Sequence, residues 1–284
     1  MKIPPRLLPL MQDGLIDEVV SQLKSGKEAT VYLVRSAGVL RCAKVYKDAH
    51  HRSFKQAATY REGRKVRNTR DARAMEKGSR FGKQETEAAW QNAEVSALYR
   101  LAEAGVRVPT PHGCFDGVLL MDMVADAKGN PAPRLSEVSF TPDEAFDTHA
   151  QLLTEVVRML CAGLVHGDLS EYNILVDSKG PVIIDLPQAV DAAGNNHARV
   201  MLERDVENLA NFFGQFAPEL LDSNYGREIW EIYESGELTP DSILTGEVEE
   251  DDTPADLESL LREIMDAREE AELRAAREAA GDQD

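Results

Sequence analysis

The first part of the chain alternates short apolar runs with glycine-containing turns, a pattern typical of strands and hairpins. Residues 29–34 and 39–46 are rich in β-branched and aromatic residues, and a Ser36-Ala37-Gly38 turn separates them, which predicts an antiparallel hairpin. Residues 118–124 predict another strand. Upstream, helical spacing predicts a short helix over residues 15–24, within an N-terminal segment 1–24. Its apolar positions are Leu15, Ile16, Val19, Val20 and Leu23.

The second part of the chain carries longer apolar periodicities, which predict helices over residues 90–105, 143–163 and 198–216. In the last of these, Arg204 and Asp205 stand near the predicted start. Asp205 is therefore expected either to cap that helix or to brace the preceding loop by hydrogen bonding. Short apolar runs between the second and third helices predict buried strands, flanking a turn at 178–181. They are residues 164–165, 174–176 and 182–184.

Composition narrows the class of protein. The chain has 284 residues, enough for two lobes, and three widely spaced cysteines that show no metal-ligand spacing. No apolar run reaches eighteen residues, so we expect a cytoplasmic protein with no membrane association. The formal net charge of −18 argues against general attraction to nucleic acid, and we expect no DNA partner.

The charge is unevenly distributed. The insert of residues 47–83 carries 12 Lys or Arg against four acids, a formal charge of +8, with Phe54, Tyr60 and Phe81 interleaved. It fits docking on RNA or a ribosomal particle, and equally a solvated loop. Residues 247–284 carry 15 acids against four arginines, −11, and predict an acidic helix and tail. This tail is either a strap that folds back on the insert or a solvated extension.

The residues best suited to chemistry lie between His166 and Leu186. A carboxylate at Asp168, an amide at Asn173 and a second carboxylate at Asp185 surround the predicted strand pair. Phosphoryl transfer needs one group to orient or deprotonate the nucleophile and oxygen ligands for Mg²⁺ at the phosphates. Asp168 suits the first role, and Asn173 with Asp185 the second. A single aspartate is usually a turn former or a cap, but His-Gly-Asp, Asn at the fifth position and a later Ile-Asp follow the order of kinase loops.

A phosphate-binding side is predicted upstream. Ser25, Gly26 and Lys27 form a turn before a strand, which fits a phosphate-covering loop but also an ordinary hairpin turn, since it is neither GxGxxG nor a Walker A. Lys44 shares a strand face with Cys42 and Tyr46 and is predicted to contact the α- and β-phosphates. Glu94, on the helix 90–105, is expected either to pair with Lys44 or to lie on a solvated face.

The strand 118–124 leaves the first lobe where the adenine ring of ATP would meet backbone groups. We predict that contact at Asp122 and Val124.

With these residues in place, the chain resembles the RIO family of atypical serine/threonine protein kinases, closest to its type-one branch and of a bacterial or archaeal-like kind. The resemblance covers residues 15–216. SGKEATVY resembles the phosphate loop STGKEAxVY, HGDLSEYN the catalytic loop, and IIDLPQAV the metal loop IDxSQxV. Lys24 and Pro187 depart from the family, which has Ser at both positions; Lys24 is expected to alter phosphate contacts and Pro187 to stiffen the strand exit.

The resemblance implies an α+β fold, a trimmed bilobal kinase without activation loop or peptide-docking subdomain. It divides the chain into an N-lobe, residues 25–124, and a C-lobe, residues 125–246. It also implies ATP and Mg²⁺, or Mn²⁺ in its place, as cofactors. The implied activity is that of a serine/threonine kinase or an ATPase that forms an aspartyl-phosphate on Asp185, together with serine autophosphorylation and work on ribosomal subunits.

Two other functions share these motifs. A small-molecule phosphotransferase of the aminoglycoside or choline kinase kind also uses HGDxxxxN and Ile-Asp, but the SGKEA loop and the basic insert disfavour it. A nucleotide-gated assembly factor would bind ATP to control docking on RNA or a ribosomal particle.

Overall fold

The structure is a computed structural model that describes residues 3–26, 28–47 and 93–247. Several predicted features lie outside these residues: Lys27, all of the basic insert except Lys47, and all of the acidic tail except Glu247.

The chain divides into two compact units, Met1–Val248 and Glu249–Asp284, and the described residues all belong to the first. Within that unit the five-stranded sheet is formed by the N-terminal part of the chain, and the longer helices follow it. The last strand of the sheet ends at Asp122, two residues before the lobe boundary predicted at residue 124, which stays a prediction.

Five antiparallel strands form the sheet of the first lobe, in the spatial order β1-β2-β3-β5-β4. The hairpin predicted from the Ser36-Ala37-Gly38 turn is confirmed: β2 and β3 pair in register from Ala29 opposite Tyr46 to Ser36 opposite Val39. Gly38 adopts a positive φ of 77°, the conformation that favours glycine in a tight turn. The strands are β1 (Glu18–Ser25), β2 (Ala29–Ser36), β3 (Val39–Tyr46), β4 (Pro111–Phe115) and β5 (Val118–Asp122).

The helix predicted over residues 15–24 is wrong, because this segment contains the edge strand β1. Its pairing with β2 shifts register twice, between Val19 and Ser21 and between Gln22 and Lys24. Each shift breaks the two-residue alternation of a strand, and the residues at the shifts, Val20 and Leu23, are 40% and 38% exposed. The resulting spacing of apolar residues imitates a helix. Helical structure does occur earlier, as a 3₁₀ turn at Pro5–Leu7 and α1 (Leu8–Gln12).

The two faces of the sheet enter different cores, because side chains alternate along each strand. On the outer face, β3, β5 and the N-terminal segment form one cluster of buried residues: Leu7, Leu10, Ile16, Val34, Ala43, Val45, Val118 and Leu120. On the inner face, Tyr46 and Leu119 belong to the main core with Leu98 and Leu101 of α2, a helix described over residues 93–103. Gly105, at φ 76°, lies just beyond the C-terminal end of α2, in the conformation that favours glycine there.

The second lobe is mainly helical. Its long helix α3 begins in a capping box in which Thr141 and Glu144 exchange side-chain bonds with each other's backbone N–H, and Pro142 is the first helical residue. The predicted strand pair is confirmed, with Ile174 opposite Ile183. The elements are α3 (Pro142–Cys161), β6 (Leu164–Val165), β7 (Ile174–Asp177), β8 (Gly180–Ile183), β9 (Val190–Asp191), α4 (Ala198–Phe213) and α5 (Tyr225–Ser235), with 3₁₀ turns at Leu135–Glu137 and Pro218–Asp222.

The position predicted for Arg204 and Asp205, near the start of a helix, is wrong. Helix α4 starts at Ala198 with His197 as its N-cap residue, so both lie in the middle of the helix. Asp205 is 2% exposed and does not cap the helix.

Only residues 186–197 separate Asp185 from α4, which leaves no room for a long activation loop at this point. In the part of the chain that the structure describes, no helix combines the length and apolarity that crossing a membrane requires.

Candidate active site

A single ammonium group joins the two lobes at the centre of the site. Lys44 Nζ on β3 donates to Glu94 Oε1 at 2.5 Å and to Asp185 Oδ1 at 2.7 Å. The Lys44 and Glu94 side chains are 10% and 5% exposed, whereas that of Asp185 is 49% exposed. The predicted pair of Lys44 with Glu94 is therefore present, and Glu94 does not lie on a solvated face. Asp185 joins the same network, which the sequence did not predict.

The charges of this network reinforce each other. Burial alone favours the neutral amine, but the two carboxylates outweigh it and raise the pKa of Lys44 above its ordinary value. Burial likewise favours neutral Asp185, yet the Lys44 ammonium holds the pKa of that carboxyl below its usual range. Lys44 and Asp185 are thus both charged near neutral pH, as the binding of phosphates and a divalent cation requires.

Backbone strain marks Asp185 as a special position. Its φ is 68°, in the left-handed region that residues other than glycine, asparagine and aspartate seldom adopt. Such strain persists only where the surroundings over-determine it, and it clusters at functional sites. Here the preceding residue is held firmly, because Ile184 N–H donates to Asn173 O at 2.9 Å.

Asp205 holds the catalytic loop, residues 166–173, in place by hydrogen bonds. Its carboxylate accepts from Gly167 N–H at 2.7 Å and from Leu169 N–H at 3.0 Å, on either side of Asp168. Arg204 donates to the carbonyl of Gly167. The bracing role predicted for Asp205 is confirmed, and it fixes the backbone that carries Asp168.

His166 is 2% exposed and links the loop that carries Asp168 to the segment that precedes Asp185. Its Nδ1 accepts from Asp168 N–H at 3.3 Å, and its Nε2 lies 3.2 Å from the carbonyl oxygen of Ile184. Burial lowers the pKa of His166, so the ring is neutral, with the proton on Nε2. One imidazole therefore links the backbone of Asp168 to that of the residue before Asp185.

Asp168 is exposed and carries a carboxylate that can accept a proton. Gln188 Nε2 donates to Asp168 Oδ2 at 3.1 Å. Partial burial raises the pKa of Asp168, which Arg204 partly opposes and the charge of Asp185 reinforces. A raised pKa brings a carboxylate closer to the range in which a general base works at neutral pH.

The side-chain oxygens of Asn173 and Asp185 suit a hard cation. Asn173 Nδ2 donates to Asp168 O at 2.9 Å, and in the described part of the chain no hydrogen bond occupies its amide oxygen. That oxygen and the half-exposed carboxylate of Asp185 are the ligand types that Mg²⁺ prefers. No group of three or more His, Cys, Asp or Glu side chains among the described residues could hold a metal. The donor set therefore fits a cation that takes its remaining ligands from phosphate and water.

The turn at Ser25 and Gly26 connects β1 to β2. Ser25 Oγ lies 3.3 Å from Thr30 Oγ1, and Gly26 N–H donates to Ala29 O at 2.9 Å. Lys47 Nζ donates to Gly26 O at 2.6 Å and to Ser25 Oγ at 3.2 Å. The turn connects two strands, not a helix and a strand as predicted.

The predicted adenine contacts lie where β5 leaves the sheet. Val124 O accepts from Ala132 N–H at 2.9 Å, and Asp122 N–H donates to Thr110 O at 2.9 Å. The Asp122 carboxylate lies 2.5 Å from His112 Nε2. Both of these backbone groups are thus engaged within the chain. A contact with the adenine ring at either residue stays a prediction, and the Val124 N–H is the better candidate for it.

A small cleft lies beside the Lys44 network. Lys44, Glu94 and Asp185 provide its charged side. Its apolar lining consists of Leu98, Pro109, Leu119, Met121, Ile184 and Leu186.

Comparison with known proteins follows the same residues. The family model described as the RIO domain matches residues 30–225, more than half of the chain, and includes Lys44, Glu94, Asp168, Asn173 and Asp185. The chain belongs to the RIO family.

Relatives within the RIO family carry type-one names, which confirms the predicted branch. The RIO-type serine/threonine-protein kinase Rio1 of Haloferax volcanii is 37% identical over 206 residues, covering 72% of this chain and 66% of that protein. The protein of the same name from Methanocaldococcus jannaschii is 32% identical, with 82% and 74% covered. Serine/threonine-protein kinase RIO1 of Homo sapiens is 30% identical over 84% of this chain, but only 40% of the human protein is covered.

The RIO fold is also shown by a solved structure. A crystal structure of the Rio2 kinase-ADP/Mg²⁺-phosphoaspartate complex from Chaetomium thermophilum aligns with a TM-score of 0.52 at 24% identity. The alignment covers 74% of this chain and 59% of that one. The predicted trimmed bilobal kinase-like fold is confirmed.

Three contributors to this RIO site were not predicted: the Tyr46 hydroxyl, the Gln188 amide and the His166 imidazole. His166 and Gln188 belong to the motifs HGDLSEYN and IIDLPQAV, and Tyr46 shares a strand face with Lys44, but none of these patterns assigns the residue a role. Lys24, which departs from the family pattern, lies close enough to Arg134 and Asp185 for their charges to affect it; partial burial, then Arg134, lowers its pKa.

Proposed function

We propose that the chain is an ATP- and Mg²⁺-dependent phosphotransferase of the RIO type, acting as a serine/threonine protein kinase or as an ATPase. The observation that carries this proposal is the buried Lys44 ammonium, held between Glu94 and Asp185. Its relatives are named serine/threonine-protein kinases, and the Rio2 relative was captured with ADP, Mg²⁺ and phosphoaspartate.

Each residue then has a defined task. Lys44 would contact the phosphates of ATP, and Asp168 would take the proton of an attacking hydroxyl. Asn173 and Asp185 would hold Mg²⁺, which supplies charge neutralisation at the phosphates when it is bound. The Ser25-Gly26-Lys27 turn would cover the phosphates, and the backbone at Asp122 and Val124 would meet the adenine ring.

If the protein acts as an ATPase, a carboxylate oxygen of Asp185 attacks the γ-phosphorus of ATP. A P–O bond forms, the bond to the ADP oxygen breaks, and water later hydrolyses the aspartyl-phosphate to Asp185 and phosphate. The half-exposed side chain of Asp185 supports this route, since its second oxygen is not the one bonded to Lys44.

The purified protein should be incubated with Mg²⁺ and γ-labelled ATP, and any protein-bound label treated with hydroxylamine. Hydroxylamine-labile label that Asp185→Asn abolishes would support the ATPase cycle, and stable label on Ser or Thr would support the kinase. The matched control is Asp147→Asn, since Asp147 is an exposed carboxylate on α3. Label or turnover that survives in Asp185→Asn contradicts the assignment.

Tight ATP binding with neither label nor hydrolysis would instead favour a nucleotide-gated assembly factor. In that case, salt-dependent RNA binding that is lost on deletion of residues 47–83 would assign the partner. The predicted cytoplasmic location and the ribosomal partner belong to this proposal as well.

A further inference from the structure

A buried hydroxyl completes the hydrogen bonding of Glu94. Tyr46 Oη donates to Glu94 Oε2 at 2.6 Å, while Lys44 donates to Glu94 Oε1. Each carboxylate oxygen therefore has its own donor. Tyr46 and Glu94 are both 4% exposed, so neither group exchanges these bonds readily with water.

The position of Tyr46 is itself fixed from several sides. It ends β3, opposite Ala29 of β2. Its N–H donates to Gly117 O at 3.0 Å, and its carbonyl accepts from Arg6 at 2.9 Å. Its ring lies 5.7 Å from Lys44 Nζ and packs in the main core. Burial, followed by the charge of Glu94, raises the pKa of Tyr46, so the phenol stays protonated and remains a donor.

We propose that Tyr46 is a positioning residue for phosphoryl transfer: its hydroxyl fixes the carboxylate of Glu94, and Glu94 in turn fixes the ammonium of Lys44 in the cleft. This inference rests on the proposed function and extends it to a residue two positions after the phosphate-binding lysine.

The reason lies in the freedom of a carboxylate. The terminal torsion of glutamate is broad, so a Glu94 carboxylate held by one donor can rotate. Lys44 is shared between Glu94 and Asp185. If Glu94 loosens, the ammonium moves toward Asp185 and competes there with the cation that the site needs. Tyr46 thus controls the division of Lys44 between its two carboxylates.

The first test is a double-mutant cycle of Tyr46→Phe and Glu94→Gln on Mg²⁺- and ATP-dependent turnover. Phenylalanine keeps the ring and its packing and removes only the hydroxyl. We expect kcat to fall about tenfold in Tyr46→Phe, the effect of one hydrogen bond to a charged group, with a smaller change in KM for ATP. On the Glu94→Gln background, Tyr46→Phe should change kcat by less than about twofold, because the two residues act through one contact.

The matched control is Tyr99→Phe. Tyr99 lies on α2, the helix that carries Glu94, and is 38% exposed. Among the described residues, its hydroxyl has no hydrogen-bond partner. It should leave kcat unchanged.

The second test does not depend on turnover. In the nucleotide-free protein, the acylation rate of Lys44 by an amine-reactive reagent is measured by mass spectrometry, with exposed Lys128 as internal reference. In the wild type, Glu94 and Asp185 together hold Lys44 in a buried position. Once Glu94 loosens, Lys44 is held mainly by the half-exposed Asp185 and meets the reagent more often, so Tyr46→Phe should accelerate labelling of Lys44 several-fold and leave exposed Lys128 unchanged.

The two tests separate the two proposals. If the wild-type protein neither binds nor turns over ATP, the proposed function fails, while the labelling of Lys44 still decides the role of Tyr46. Equal effects of Tyr46→Phe with and without Glu94, or unchanged labelling of Lys44, would overturn the positioning role.

Discussion

Asp168 combines a fixed backbone with a carboxylate that is tuned for proton transfer. Its N–H is held by His166, its neighbours by Asp205, and its carboxylate by Gln188. Replacing Asp168 with Asn removes the proton acceptor and keeps the shape. Because general-base catalysis contributes about 10²–10⁴-fold, we expect kcat to fall by that factor, with thermal stability and affinity for ATP nearly unchanged.

The dependence of wild-type kcat on pH provides a second test of Asp168 as the general base. The pKa of Asp168 is raised by partial burial, so kcat should decline as pH falls through a value above the ordinary pKa of aspartate. This acidic decline should disappear from the residual activity of Asp168→Asn. A variant that retains both full turnover and the decline would exclude Asp168 as the base.

At this scale, sequence reasoning reached the residues that carry chemistry but not those that hold them. Lys44, Glu94, Asp168, Asn173 and Asp185 belong to ordered motifs whose spacing is itself informative. Tyr46 and Gln188 contribute one hydrogen bond each, across 48 and 20 residues of chain. Nothing in their local pattern distinguishes such a bond from ordinary packing, so only the fold shows it.

Among the elements, α3 has the strongest local start signal. Thr141 accepts from Glu144 N–H, and the Glu144 carboxylate accepts from Thr141 N–H at 2.9 Å. Thr141→Ala removes one half of this box. Losing an N-cap side chain costs about 1 kcal/mol, and we expect that decrease in the free energy of unfolding by urea denaturation.

The control for this prediction is Thr148, about two turns further along α3. Thr148 Oγ1 donates to the helical carbonyl of Glu144 at 2.7 Å and caps nothing. Since alanine has the higher helix propensity, Thr148→Ala should stay within about 0.5 kcal/mol of wild type. If both variants lost equal stability, the box would have no specific role.

Strand β1 shows where element prediction failed and why. Strand β3 pairs with β2 without a register shift, and its bounds followed from its apolar composition and from the turn before it. In β1, two register shifts leave Val20 and Leu23 exposed, and the apolar spacing no longer has a period of two. A bulge depends on the partner strand, and no signal within residues 15–24 reveals it.

Across the whole molecule, the segment after α2 joins the lobes through contacts distant in sequence. Arg107 N–H donates to Glu155 of α3 at 2.8 Å, and its guanidinium donates to Asp177 at 2.7 Å and to Lys179 O at 3.0 Å. These contacts attach the helix that carries Glu94 to the hairpin that precedes Asp185. The two-lobed fold could be predicted from the order of the motifs. The contacts of Arg107 could not, because they join residues that are far apart in the sequence and leave no local pattern.

Two buried groups give the stability of the whole fold opposing pH dependences. Burial raises the pKa of Asp205 to about 7, above its ordinary value, against the opposing effect of two backbone N–H donors. The folded protein therefore binds an extra proton there, and this stabilisation is lost as pH rises from about 4 to 7. Burial lowers the pKa of His149 to about 4, so its contribution is present above about pH 6.5 and is lost as pH falls toward 4.

Removing each group should reveal these opposite slopes. The free energy of unfolding of Asp205→Asn, relative to wild type, should rise with pH between 4 and 7 by at most about 1.4 kcal/mol per pH unit. That of His149→Phe, whose ring would replace the imidazole packed against Phe213 and Tyr225, should instead rise as pH falls from about 6.5 to 4. Urea unfolding across this range measures both, with Asp147→Asn as the control for loss of an exposed charge. A substitution can also change stability by an amount that does not depend on pH, and this leaves the slopes of stability against pH unchanged. If the curve of a variant runs parallel to that of wild type, or if both variants differ from wild type with slopes of the same sign, one of the two groups does not have the shifted pKa described above.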